Sequence, residues 1–323
     1  MDNKSEMIDF VRLVSNHFDK NTPFFQYCKK VATYANGIEE YKVQGCEGLK
    51  LYWKPSGLLT ISGSIPYYWQ GHNFSFANTD FYQAIEHLGK LVAVDLWESV
   101  VTEFEYGVII ESDTLPKHYI SNHKARKEAK LNQYVNEKDK GRFTSWKDKG
   151  RLLKMYDAGA NIQMKQGLSR KEAIRGAGWQ PEKKYLKFEI HYLDASILNK
   201  GRELLLADIM HPDWQQKFKE DLLEQYKRLT PMATIKEPSS KKDLTTSDII
   251  ALALVENGLN NNQSIEEVKK NLYSRINVIS DSFLSKADKD SRKRHIKTIL
   301  DKIQVADNSK WDLTEKLAQA LEG

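Results

Sequence analysis

Residues 151–157, Arg-Leu-Leu-Lys-Met-Tyr-Asp, alternate with period two, which sets Leu153 and Met155 on one face and Lys154 and Tyr156 on the other. The run 185–193 has the same form, with Leu186, Phe188, Ile190 and Tyr192 against Lys187, Glu189 and His191. In Glu103-Phe104-Glu105-Tyr106-Gly107-Val108-Ile109-Ile110 the carboxylates lie opposite an apolar row. Three half-polar strands therefore gather a tyrosine, a lysine and carboxylates on one sheet face.

Elsewhere the spacing changes. Met7, Ile8, Phe10, Val11 and Val14 suit one face of an amphipathic helix over 5–18. Glycine-punctuated alternation predicts a β region over 36–76. Asn78-Thr79-Asp80 offers a cap for a helix over 81–96, and a strand follows at 102–111. The segment 115–140 reads as basic and partly helical, and two strands follow between 142 and 157. A short helix is expected at 169–177, capped by Ser169 with Glu172 three places on, and further helices at 198–210 and 213–228. Pro231, Pro238, two serines and a Lys-Lys-Asp run mark a linker. The expected organisation is an α+β domain over 1–230 with a mixed or antiparallel central sheet and flanking helices. A linker at 231–246 and an all-helical module at 247–323 complete it.

Composition supports a folded chain: 40% of the 323 residues are apolar and 11% aromatic, enough for a core. The longest aliphatic stretch, Ile249 to Val255, is too short to span a bilayer. Cys28 and Cys46 give neither a disulfide framework nor metal-ligand spacing, so a cytosolic protein with reduced thiols is the expectation. Charge is unevenly spread. Residues 117–154 hold twelve Lys or Arg against four Asp or Glu, a net +8, which leaves −3 for the rest of a chain whose formal total is +5. Tyr119, Tyr134, Phe143 and Trp146 are interleaved with these charges. Cations that contact phosphates beside rings that stack on bases point to nucleic acid. The candidate contacts are Arg126, Lys127, Arg142, Trp146, Lys147, Lys149 and Arg151.

The polar face carries a specific chemistry. Forming a phenolate at pH 7 costs a tyrosine roughly 4 kcal/mol, and a divalent cation or an ammonium group offsets that cost. Lys154 lies two residues from Tyr156, and Glu105 and Glu189 supply the oxygen ligands that Mg²⁺ or Mn²⁺ requires. A metal-assisted tyrosine nucleophile acting on a phosphodiester needs that set. No Walker-type phosphate loop occurs, which argues against an intrinsic helicase motor.

The same residues resemble a family. Ile61-Ser62-Gly63-Ser64-Ile65-Pro66 followed by Trp69-Gln70-Gly71-His72-Asn73 is similar to the part of filamentous-phage replication initiators of the gene II type that ends in a Gly-His-Asn signature. Phe104-Glu105 looks like their acidic strand, Arg151 to Asp157 like their tyrosine strand, and Leu186-Lys187-Phe188-Glu189 like the strand that follows. Trans-acting plasmid rolling-circle initiators show a related order. The resemblance spans roughly 55–228. It implies a replication-nuclease fold and an enzyme that nicks one strand at an origin, links to the 5′ phosphate through tyrosine and rejoins the strand with a metal's help. On that basis Tyr156 is the nucleophile, Lys154 its cationic aid, and Glu105, Glu189 and His72 the metal ligands. Ser62 departs from the family, since many relatives have glutamate there, which leaves Glu103 or His72 to complete the acidic set. DNA at the origin is the implied partner, with a second protomer and a host helicase as further candidates, in the cytoplasm of a bacterial host. Two rivals stand beside this reading: a relaxase or transposase of a mobile element, and a non-catalytic DNA-binding regulator. Tyr119 and Tyr134 are the alternative nucleophiles.

Overall fold

The computed structural model describes residues 6–16, 18, 21, 25, 28–43, 48–123, 125–126, 130–135, 142–148, 150–165, 167–230, 245–260, 263–301, 303 and 311–322. Ten strands form one sheet: β1 (Glu6–Ser15), β2 (Cys28–Thr33), β3 (Glu39–Val43), β4 (Leu49–Lys54), β5 (Leu58–Ser64), β6 (Val100–Glu111), β7 (Lys130–Val135), β8 (Arg142–Asp148), β9 (Arg151–Asp157) and β10 (Tyr185–Tyr192). Their spatial order is β2-β3-β4-β5-β1-β6-β10-β9-β8-β7, and every neighbouring pair is antiparallel. Of the two sheet types the sequence left open, the structure has the antiparallel one.

Helices α1 (Ile65–Gln70), α2 (Asn78–Val92), α3 (Pro116–Asn122), α4 (Ala158–Lys165), α5 (Leu168–Gly176), α6 (Leu206–Met210) and α7 (Pro212–Lys227) flank the strands. The chain then continues through α8 (Thr246–Asn260), α9 (Ile265–Asn277), α10 (Lys286–Leu300) and α11 (Thr314–Glu322). It divides into two units, one made of Met1–Ile120, Arg126–Arg228 and Leu313–Gly323, the other of Ser121–Ala125 and Leu229–Asp312. The smaller unit holds α8–α10 around Val255, Val268 and Leu300. Helix α11 belongs to the larger one, and most of the expected linker falls outside the described residues.

One sheet face carries the main core of the central strands. Phe104, Tyr106, Val108 and Ile110 of β6 pair with Tyr192, Ile190, Phe188 and Leu186 of β10, and Leu153 and Met155 of β9 continue the row. All are buried. Helix α7 lays Phe218 on this face, with ring centroids 5.0 Å from Phe104 and 5.5 Å from Tyr106, while Tyr226 meets Phe188 edge-on at 5.5 Å. Each such side chain contributes about 1.5–3 kcal/mol by leaving water. That burial fixes the register, since a slip of one residue would turn the polar row into the core.

Five expected stretches differ from the structure, the first being the end of the β region expected over 36–76, where Ile65–Gln70 form α1. Within the helix expected over 5–18, Glu6–Ser15 form strand β1 instead, for a reason given below. Among the described residues of 115–140, the helical part is α3, and strand β7 follows. Helix α5 is capped by Gly167 rather than Ser169. Most of the stretch expected to be helical at 198–210 is a 3₁₀ turn (Ala195–Asn199) and the short α6.

Candidate functional site

Registers on the polar face bring the chemical groups together. Lys154 lies opposite Glu189, Tyr156 opposite Lys187, and His191 opposite Glu105. Directly opposed residues in an antiparallel pair share a face, so β6, β9 and β10 present their polar side chains side by side. Gly107, opposite Glu189, makes room for them. A Cβ there would come within 2.5 Å of Glu189 Cβ and 2.8 Å of the Phe188 carbonyl oxygen. Gly107→Ala is expected to cost about 1–3 kcal/mol by overpacking and to move Glu189; an unchanged denaturant midpoint would contradict this.

The third carboxylate comes from β1. In the β1–β6 ladder Ile8 pairs with Tyr106 and Val11 with Phe104, so Asp9 and Phe10 together oppose Glu105. This β-bulge adds one residue to β1, and bulges re-aim side chains in this way. It also explains the misread helix, because an extra residue between Ile8 and Val11 turns the apolar period of two into a step of three. Oxygen atoms of Asp9, Glu105 and Glu189 all lie within 4.8 Å of one another. Ser64 Oγ and Asn73 Nδ2 each donate to Asp9 at 2.6 Å. Asp9 thus supplies an acidic group that the serine at position 62 does not. Its signal was available: like Glu189 between Phe188 and Ile190, it is a charge flanked by apolar residues in a strand.

Two ammonium groups sit among the acids. Lys187, 1% exposed, donates to Asp9 Oδ2 at 2.6 Å and lies 2.9 Å from Glu189 Oε2. Lys154 bonds Glu105 and lies 3.2 Å from Glu189 Oε1. His191 Nδ1 is 3.1 Å from Glu105 Oε1, and its Nε2 is 3.5 Å from Glu103, which Arg12 also binds. The Tyr156 hydroxyl donates to Glu189 Oε2 at 3.4 Å. Its ring packs against a cluster of Phe74, Ala158, Ile162, Ile174, Trp179 and Tyr185.

This arrangement sets the protonation states. Burial, then the negative charge of Glu189, push the Tyr156 phenol well above its ordinary value, and Lys187 pulls the other way. Lys187 loses stability for its charge through burial but gains more from Asp9 and Glu189, so it stays an ammonium well beyond the usual range. Burial would raise Glu105; the His191 hydrogen bond and Lys154 overcome it and hold Glu105 down to about 2. A carboxylate with a lowered folded-state value stabilises the fold above its unfolded value and loses that stabilisation as pH falls through the folded one. Native stability should therefore decline between pH 4.5 and about 2. Glu105→Gln should flatten the decline, as read by urea unfolding across that window.

Other candidate residues are placed differently. His72 is buried outside the acidic trio: its Nδ1 accepts the Phe74 N–H at 3.3 Å, and burial lowers its pKa. The third member of the acidic trio is Asp9. Arg151 lies on the opposite sheet face, where its Nε reaches Asp221 Oδ2 at 3.2 Å and its guanidinium sits over Tyr192. Lys147 is exposed on β8. Trp146 lies opposite Leu153 and Leu131 in the register. The side chains of Arg126, Arg142 and Trp146, and Lys127 and Lys149 altogether, lie outside the described residues, as does the Tyr134 side chain. Tyr119 is 3% exposed and belongs to the core. Lys187, which the sequence placed on the polar face without a role, is the ammonium opposite the phenol, 5.9 Å from the centre of its ring.

No family model matches the chain, and no curated protein matches it significantly. Among solved structures, a rolling circle replication initiator protein from Geobacillus stearothermophilus matches with a TM-score of 0.40 at 10% identity, over 73% of this chain and 89% of that chain. A likeness that distant transfers neither residues nor activity. Among the described residues no helix is long and apolar enough to cross a membrane.

Proposed function

We propose that the protein is a metal-dependent DNA nicking and joining enzyme that initiates rolling-circle replication, with Tyr156 as its nucleophile. The observation that carries this reading is the Tyr156 hydroxyl 3.4 Å from a Glu189 oxygen, in a cluster whose Asp9, Glu105 and Glu189 oxygens lie within 4.8 Å of one another.

The donor set suits a hard divalent cation: three carboxylates, all oxygen, against two ammonium groups, leave one negative charge uncompensated. Lys154 and Lys187 already approach these oxygens as cations do. Asp9, Glu105 and Glu189 would hold Mg²⁺ or Mn²⁺. Bound there, the ion supplies Lewis-acid polarisation of a phosphate oxygen and neutralises the carboxylates that keep the phenol protonated. The remaining steps belong to the chain. Tyr156 attacks phosphorus and the P–O3′ bond breaks, leaving a 5′-phosphotyrosine link. The phenol proton leaves to solvent, and the departing 3′ oxygen takes up a proton in its place. Lys187 faces the phenol and offsets charge as it develops, while Lys154 holds Glu105 and Glu189 in place. The reverse sequence rejoins the strand. DNA is the partner, and the smaller helical unit serves dimerisation, origin recognition or helicase recruitment.

The internal neutralisation by Lys154 and Lys187 favours one second reading, a DNA-binding regulator whose ion cluster is structural. Incubation with a randomised single-stranded oligonucleotide pool and Mn²⁺, followed by peptide mapping, separates the two. A phosphotyrosine in the peptide spanning 151–157 supports the enzyme. Salt-sensitive binding with no adduct supports the regulator.

A further inference from the structure

A cleft of about 960 Å³ runs along the sheet beside the acidic cluster. Its walls combine rings with cations: Phe10, Tyr67 and Trp69 on one hand, Lys42, Lys50 and Arg170 on the other. Cation and ring come from separate elements. Lys42 and Lys50 face each other across β3 and β4, Tyr67 and Trp69 ride on α1, and Arg170 is on α5. Trp69 is 37% exposed, unusually open for a large indole in a folded chain. The cleft adjoins the candidate site through Ser64 and Phe10. Ser64, in its wall, donates to Asp9 at 2.6 Å, and Phe10 tilts against His191 with ring centroids 5.4 Å apart.

We infer that this cleft is the channel for the single-stranded DNA next to the scissile phosphate, with Trp69 and its neighbouring rings as base platforms and Lys42, Lys50 and Arg170 as backbone contacts. The inference deepens the proposed function and rests on it for the identity of the strand. Rings take any base by its π-face, while lysine and arginine follow the phosphates, a combination suited to an unpaired strand. It also moves the main DNA grip from the basic 117–154 segment to residues on β1, β3, β4, α1 and α5.

The test is fluorescence anisotropy of the full chain with a labelled, mixed-sequence single strand of about 16 nucleotides, with adduct formation measured separately. Trp69→Ala should weaken binding about tenfold, as the loss of one stacked base does, whereas Trp69→Phe, which keeps a ring, should recover most of it. Lys42→Glu should weaken binding and reduce the slope of log K against log salt by about 0.7, one phosphate contact on a single strand. Lys90→Glu, an equal charge change at the end of α2, should bind like the native protein. Native-like binding by Trp69→Ala and Lys42→Glu, or equal competition by a duplex of the same sequence, overturns the channel. The two proposals fail separately. If the native protein forms an adduct while the cleft variants bind normally, the enzyme stands and the channel falls. If the cleft variants lose binding while no adduct ever forms, the channel stands and the nicking reading falls.

Discussion

Tyr156→Phe is expected to leave single-stranded DNA binding intact while covalent adduct formation falls at least about 10⁴-fold, the scale of loss when a nucleophile is removed. The substitution deletes one hydroxyl whose hydrogen bond to Glu189 is 3.4 Å long, and Glu189 keeps both of its ammonium partners. Stability should change by no more than about 1 kcal/mol, so the loss cannot be ascribed to unfolding. Denaturant titration beside a gel assay for the adduct reads both quantities. An adduct that survives in Tyr156→Phe would move the nucleophile to another residue and undo the assignment.

Lys187→Met should destabilise the protein by about 3–5 kcal/mol, because it leaves Asp9 and Glu189 as buried charges without their shared counter-ion. Methionine roughly preserves the volume, so the cost is electrostatic rather than a cavity. Adding Asp9→Asn should recover part of it, since the two sites are coupled. Mn²⁺ should raise the unfolding midpoint of Lys187→Met more than that of the native chain, because the ion then takes over a role that the ammonium held. A loss below about 1 kcal/mol, with no difference in the response to Mn²⁺, would show that the network is not what holds these strands together.

The central strands were legible because apolar and polar residues separate by face, even though Lys187 and Glu189 on the polar face are themselves buried. In β6, β9 and β10 an apolar row faces α7 or its neighbours while the other row stays polar, and period two survives along each strand. That pattern was enough to set Glu105, Lys154, Tyr156 and Glu189 on one face. Strand β1 was illegible because its bulge breaks the period and because Met7 and Ile8 are both buried, which a strand with its apolar row on one face would not show. Missing the strand meant missing Asp9. Lys187 was visible as polar, but sequence alone does not reveal that its ammonium ends between two acids 178 and 2 positions away along the chain. His72 and Arg151 were placed by type rather than by partner. The backbone N–H of Phe74, two residues along the chain, holds His72, and the carboxylate of Asp221, 70 residues away, holds Arg151.

At the Asp9–Phe10 bulge, one rung of the ladder serves two chemistries. Asp9 turns toward the acids and Phe10 toward the cleft, so the proposed metal site and the proposed base contact fall on adjacent residues yet on separate side chains. On the proposed reading, changing the ring at position 10 alters the grip on unpaired bases of any sequence while the carboxylate at position 9 is kept.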